Sequence, residues 1–277
     1  MSELPKSKGN KANGFSKEER LHYNSKVDSS LVDASPEEYI ENYSNYTDDW
    51  KYSLFRAPYY KWHQLIITKA KKDDQVLDYC SGQGHHAITI QKSLKTCHIT
   101  GFDISDKSID FANNLAKSIF KDPDSPQFSV QDAHNTTYEN KRFNLICNFG
   151  SLSSLELEKA IKEIDRLLVK DGVFISIETF GHNPLTNLKR ILSKMTGRRT
   201  EWATQNIVKE ETLNKIRETF PKLKVYYFCF STLSLVVLPE FIQRRVLIFF
   251  EKLDQILFNI FPFLRKYSFK VVFEASR

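Results

Sequence analysis

The chain has 277 residues, 41% hydrophobic and 27% charged, so it is long enough for one large domain with a sizeable core. Its formal net charge of +6 is spread along the sequence, which excludes the concentrated basic stripe of a nucleic-acid binder. Cys80, Cys97, Cys147 and Cys229 include no CxxC pair and fall on or beside apolar runs, so they are expected to be reduced and buried, with neither a disulfide frame nor a metal site.

Residues 1–25 are rich in Lys, Ser, Asn and Gly and carry little apolar periodicity, so a disordered tail is expected. No apolar run follows the polar start, so no secretory leader is expected and the expected location is the cytoplasm. Residues 27–60 turn aromatic and acidic. Ser35-Pro36-Glu37-Glu38 supplies a cap, a proline at the first helical position and early carboxylates, a helix start. The tyrosines and tryptophans that follow read as helix faces packing on a sheet.

The central stretch is Val76-Leu77-Asp78-Tyr79-Cys80-Ser81-Gly82-Gln83-Gly84-His85-His86-Ala87: an apolar run ends in a carboxylate, passes two glycines and opens into a helical pattern. Such a loop lets a ligand lie against the backbone beside the free N–H groups of a helix start. A second strand, 97–102, ends in Asp103, about twenty residues past the glycines, the place from which a carboxylate reaches ribose hydroxyls. A third, 127–131, ends in Asp132-Ala133, and a fourth, 143–147, ends in Asn148. All four end at one edge, where ligands bind in open α/β sheets. His85 and His86 read as exposed helix-start residues, and His134 either as a neighbour of the adenine or as an exposed loop residue.

These motifs resemble the class I S-adenosylmethionine-dependent methyltransferases. The matching residues are 76–84, Gly101-Phe102-Asp103-Ile104-Ser105, Gln131-Asp132-Ala133 and 143–148, continuing through Ile164-Asp165-Arg166-Leu167-Leu168 and Asp171-Gly172-Val173-Phe174. Cys80 stands where the family usually has its first glycine. The resemblance implies a Rossmann-like, doubly wound, mostly parallel seven-stranded α/β sheet with the last strand antiparallel. It also implies S-adenosyl-L-methionine as cofactor, held by Asp78, Cys80, Ser81, Gly82, Gly84, Asp103, Ile104, Asp132, Ala133 and Asn148. Residues 26–72 would form a helical lid, with Tyr59 and His63 on one helical face toward the substrate. The cofactor-binding core would span 73–180 and substrate-side helices 181–222. A dinucleotide fingerprint, Gly82-x-Gly84-x-x-Ala87, keeps a nicotinamide oxidoreductase as the alternative, and a non-catalytic partner subunit with this fold is a second.

Methyl transfer needs alignment and exclusion of water, and a base only where the acceptor loses a proton. After the fifth strand, Glu178-Thr179-Phe180-Gly181-His182-Asn183-Pro184 brings a carboxylate and a histidine to the ligand edge, making His182 the first choice for that base and Glu178 the second. The basic run Lys189, Arg190, Lys194, Arg198 and Arg199 reads as a solvated helix face. Between strands expected at 224–230 and 268–274 lies an apolar insertion, 234–266, too interrupted by charge to span a bilayer. Its stripe, Val246, Phe249, Phe250, Leu253, Leu257, Ile260 and Phe261, widened by Leu247, Ile248 and Phe258, needs a cover. The expected covers are the sheet edge, a homodimer through 241–264, an apolar acceptor of lipid or prenylated type, or peripheral contact with a membrane.

Overall fold

A computed structural model describes residues 14–27, 34–121, 125–183, 186 and 206–277. The basic run at 189–199 lies outside the described residues, as does most of the stretch read as substrate-side helices before 206. Seven strands form one sheet: β1 (Gln75–Tyr79), β2 (His98–Asp103), β3 (Gln127–Val130), β4 (Phe143–Phe149), β5 (Leu168–Thr179), β6 (Lys222–Phe228) and β7 (Lys270–Ser276). Their spatial order is β3-β2-β1-β4-β5-β7-β6. The first five are parallel, and β7 runs antiparallel to both β5 and β6. This is the doubly wound sheet that the motifs predict, with the antiparallel strand last.

Period-two alternation sends neighbouring side chains to opposite faces, so each face has its own core. Val76 and Ile175 face one side, where α2 (Pro36–Tyr52), α3 (Arg56–Lys69), α4 (His85–Ser93) and α5 (Asp106–Ile119) supply Tyr39, Trp62, Ile88 and Phe111. Leu77 and Phe174 face the other, against α6 (Leu157–Leu167) and α7 (Glu210–Thr219) with Ile164, Ile216 and Phe220. The expected start of α2 is present in full: the Ser35 hydroxyl accepts from Glu38 N–H, and Glu38 returns a bond to Ser35 N–H.

Two expectations are corrected. The segment read as a disordered tail contains α1 (Gly14–Asn24), which packs against α5. Arg20 and Asn24 both bond the Asp106 carboxylate, which lies well below its usual range, at about 2, chiefly through Arg20. His85 and His86 are buried rather than exposed. Tyr46 stacks on His85 at 4.3 Å, and Phe149 stacks on His86 at 3.9 Å. Burial pushes their pKa values down to about 4 and about 3, so both imidazoles are neutral.

The insertion is built on α8 (Glu240–Ile260), preceded by a 3-10 stretch, Ser231–Val237. Its inward face is one edge of the stripe that the sequence suggests, Leu247 and Phe258, together with Asp254, and these are its buried positions. Asp254 anchors the helix to the end of β6, accepting from Phe230 N–H, Ser231 N–H and both the Ser231 and Thr232 hydroxyls, at 2.6–3.0 Å. Arg56 grips Glu251 with two 2.8 Å bonds. No helix among the described residues is long and apolar enough to cross a membrane. Removing the anchor leaves four donors without their acceptor, so Asp254→Ala is expected to cost about 3 kcal/mol or more in urea unfolding, with a midpoint well below that of the unaltered protein.

Candidate cofactor site at the glycine loop

The carboxyl ends of β1, β2 and β4 surround a cavity of about 190 Å³. Asp103 closes β2 and ties the glycine loop to it: one carboxylate oxygen accepts Gly82 N–H at 3.0 Å, the other Ser105 N–H at 2.9 Å. Those bonds favour the charged form, but burial outweighs them and raises its pKa. Ile104, Asp132 and Ala133 also line the cavity. Asp132 is held from behind by His134. The Nε2 of that ring accepts Glu156 N–H at 3.0 Å, so its proton sits on Nδ1 and is donated to the Asp132 carboxylate at 2.9 Å.

A second cavity of about 250 Å³ adjoins the first and shares Cys80, Gly82 and Phe149 with it. Asp78 and Ser81 line it, and each keeps one buried oxygen without a partner, Asp78 Oδ2 and Ser81 Oγ. Burial, helped by the nearby Asp103 charge, pushes the Asp78 pKa up to about 7. A buried carboxylate oxygen left unpartnered calls for a cation or a donor. S-adenosylmethionine presents an ammonium, a ribose diol and an adenine edge, groups that strand-end carboxylates of this kind can receive.

The loop residues divide by role. Gly82, at φ +51°, has open space where a Cβ would stand and so faces the cavity. Gly84 does not: a Cβ there would meet Ala112 and Phe128 at 2.8 Å, so its bareness serves the packing of α4. Cys80 lies at φ +61°, backbone that a glycine adopts without strain and a side chain does not, which is the physical reason for a glycine at this position. Burial raises its thiol far above the ordinary range. Asn148 lies below the site: it donates to Tyr79 C=O at 2.9 Å and to Ser151 Oγ, and accepts the Ser176 hydroxyl, riveting β1, β4 and β5.

The residues expected at the substrate, Tyr59, His63, His182 and Glu178, do not line either cavity. Tyr59 is buried between Trp62, His86 and Phe149 and stacks on His63, making α3 part of the core rather than a lid over the cavity. His182 is absent from the walls of both cavities; its Nε2 accepts Glu210 N–H at 3.2 Å and caps α7. Glu178 is buried beneath β4, accepting Leu152 N–H at 3.0 Å. The cover over the cavity comes instead from α1, through Glu19 and Tyr23, whose hydroxyl meets Ser154 Oγ at 2.8 Å. Burial pushes the Tyr23 phenol up to about 12. The Lys-, Ser-, Asn- and Gly-rich composition concealed this helix.

Comparisons with known proteins agree with this arrangement. A family model described as a methyltransferase domain matches residues 70–227. The chain is 25% identical over 126 residues to a demethylmenaquinone methyltransferase of Thermotoga maritima, which covers 44% of this chain and 52% of that protein. It is 29% identical over 137 residues to the demethylmenaquinone methyltransferase of Leptospira interrogans, covering 47% and 53%. The chain thus spans about half the length of the curated relatives it matches. A crystal structure of geranyl diphosphate C-methyltransferase from Streptomyces coelicolor, with S-adenosyl-L-homocysteine bound, shares the fold at a TM-score of 0.60 and 14% identity, over 97% of this chain and 100% of that one. With its glycine loop, its two strand-end carboxylates and a family match across more than half its length, the chain belongs to the methyltransferase-domain family, the class I S-adenosylmethionine-dependent methyltransferases.

Proposed function

We propose that this protein transfers the methyl group of S-adenosylmethionine to a small apolar acceptor of lipid or prenylated type. The observation that carries the reading is the pair of adjoining cavities. Carboxylates mark their ends, while Phe102, Phe149, Ala133 and Leu155 contribute apolar walls to the first one. The similar proteins are named for demethylmenaquinone and for geranyl diphosphate, the latter an isoprenoid chain with a charged diphosphate head.

When bound, the cofactor supplies an electrophilic methyl group on a sulfonium. The chain's own task is to orient and to exclude water. Asp103 accepts the ribose hydroxyls, for which a carboxylate already bonded to two N–H groups retains lone pairs. Asp132, fixed by His134, faces the adenine, and Asp78 pairs with the ammonium. Tyr23 and Glu19 close the cavity from α1. Glu19, the carboxylate of that cover, is placed to take the proton that a carbon or oxygen acceptor loses as the new bond to the methyl forms.

Asp103→Ala is expected to weaken cofactor binding by calorimetry at least about tenfold. It should also abolish transfer of labelled methyl into the organic phase of a cell extract; label confined to the aqueous phase with unaltered protein would discard the apolar acceptor. Glu19→Gln should lower turnover about a hundredfold at unchanged cofactor affinity. His182→Ala should leave turnover within about twofold and lower only the thermal midpoint, by the loss of a cap.

The raised pKa of Asp78 has a definite sign. Pairing with a cation requires the ionised form, so binding releases a proton below about pH 7, and cofactor affinity falls as pH drops through that value. The folded chain holds this proton more tightly than the unfolded one, so the contribution of Asp78 to stability is lost as pH rises from the ordinary carboxylate range through about 7. Asp78→Asn is therefore expected to raise the thermal midpoint at about pH 8 while removing the pH-linked part of cofactor binding, read as proton uptake or release in buffers of different ionisation enthalpy.

A further inference from the structure

Because α8 packs through Leu247, Asp254 and Phe258, its opposite face is left outward. Phe241, Ile248, Phe249, Ile256 and Ile260 are exposed there, joined by Phe263 from the 3-10 turn Pro262–Tyr267 that follows. Exposure of Phe249 is 63%, against 3% for Phe258 nine residues on, so one helix carries a packed and an unpacked apolar side. Scattered exposed apolar residues are ordinary; a run on one helix face is not.

The charges on this face select the occupant. Arg245 lies four residues from both Phe241 and Phe249, and Lys252 four residues from both Ile248 and Ile256, so these cations stand among the apolar side chains and not opposite them. Arg265 and Lys266 add two more exposed cations beyond the helix end. Acids are withdrawn from the face: Glu251 is taken by Arg56, and Asp254 is buried under four donors. A symmetric contact with a second copy would set Arg245 and Lys252 against the same cations and bury them in the middle of an interface, where charge is depleted. An anionic lipid surface accepts both features, aliphatic and aromatic side chains entering the acyl boundary while the long basic side chains reach the phosphates.

We propose that the outward face of residues 241–266 docks this protein on an anionic lipid bilayer. The inference goes beyond the reading of the cofactor site, which it does not need. The face belongs to the carboxyl edge of the sheet, since α8 hangs from the end of β6 and is gripped by Arg56 at the start of α3. Docking there turns the edge that bears the glycine loop toward the lipid.

The experiment is flotation of the full chain with phosphatidylglycerol–phosphatidylcholine vesicles and with pure phosphatidylcholine vesicles, at low and high salt. The expected result is binding to the anionic vesicles that weakens with salt. The doubly substituted Arg245→Gln, Lys252→Gln should lose about thirtyfold in partitioning, because each cation near an anionic leaflet contributes roughly a fivefold factor. Phe249→Ser should weaken binding at either salt concentration. Cofactor calorimetry on each variant separates the outcomes. Retained cofactor binding with no vesicle binding by the unaltered protein overturns the docking and leaves the methyltransferase reading standing. Equal vesicle binding by the charge variant overturns it as well. A dimer in sedimentation velocity that Phe249→Ser dissociates assigns the face to a second copy instead.

Discussion

The Asp103 carboxylate is the constraint on which the site depends. It sits almost wholly out of water at the end of β2, and its charge is tolerable because the backbone of the neighbouring loop turns N–H groups toward it. Holding Gly82 by its amide shapes the loop between β1 and α4. Asp78, one strand over, then shares a poorly solvated edge with a second negative charge, and the two oppose each other's ionisation. The site stores an electrostatic need that a cationic, hydroxyl-bearing ligand meets.

Rigidity around that edge comes from aromatic packing. His85 and His86, at the first turn of α4, are locked between Tyr46, Phe111, Trp62 and Phe149 and kept neutral by burial. They couple α2 and α3 to the helix that begins at the glycine loop, so the aromatic N-terminal segment supports the loop from behind. The mobile-looking polar start of the chain has the opposite role: α1 crosses to the front, where the Asp106 ion pair and the Tyr23–Ser154 bond hold it over the cavity. Within 26–72, α2 reaches the ligand edge as well, where Tyr46 lines the second cavity beside the glycine loop.

The insertion follows a different economy. A helix with apolar residues on most of its circumference can bury only one side against a sheet edge already occupied by β6, and Asp254 decides which side by fixing its rotation. The remainder stays outward with basic residues interspersed.

The order of elements, the strand-end carboxylates and the glycine loop were all legible in the sequence, because each depends on local rules: alternation along a strand, a capped helix start, a backbone that only glycine or a strained residue can follow. Asp103, Asp132, Gly82 and the parallel sheet needed nothing from elsewhere in the chain. What tertiary structure alone decided is which residues meet across long separations. His182 meets Glu210 N–H across 28 positions of sequence; Asn148 became a rivet because three strands converge on it; Glu19 reached the cavity although 84 positions separate it from Asp103. A sequence states the chemistry of each side chain and the period of each element, whereas the direction a side chain takes, and the charge state that follows from its burial, exist only once the layers have packed.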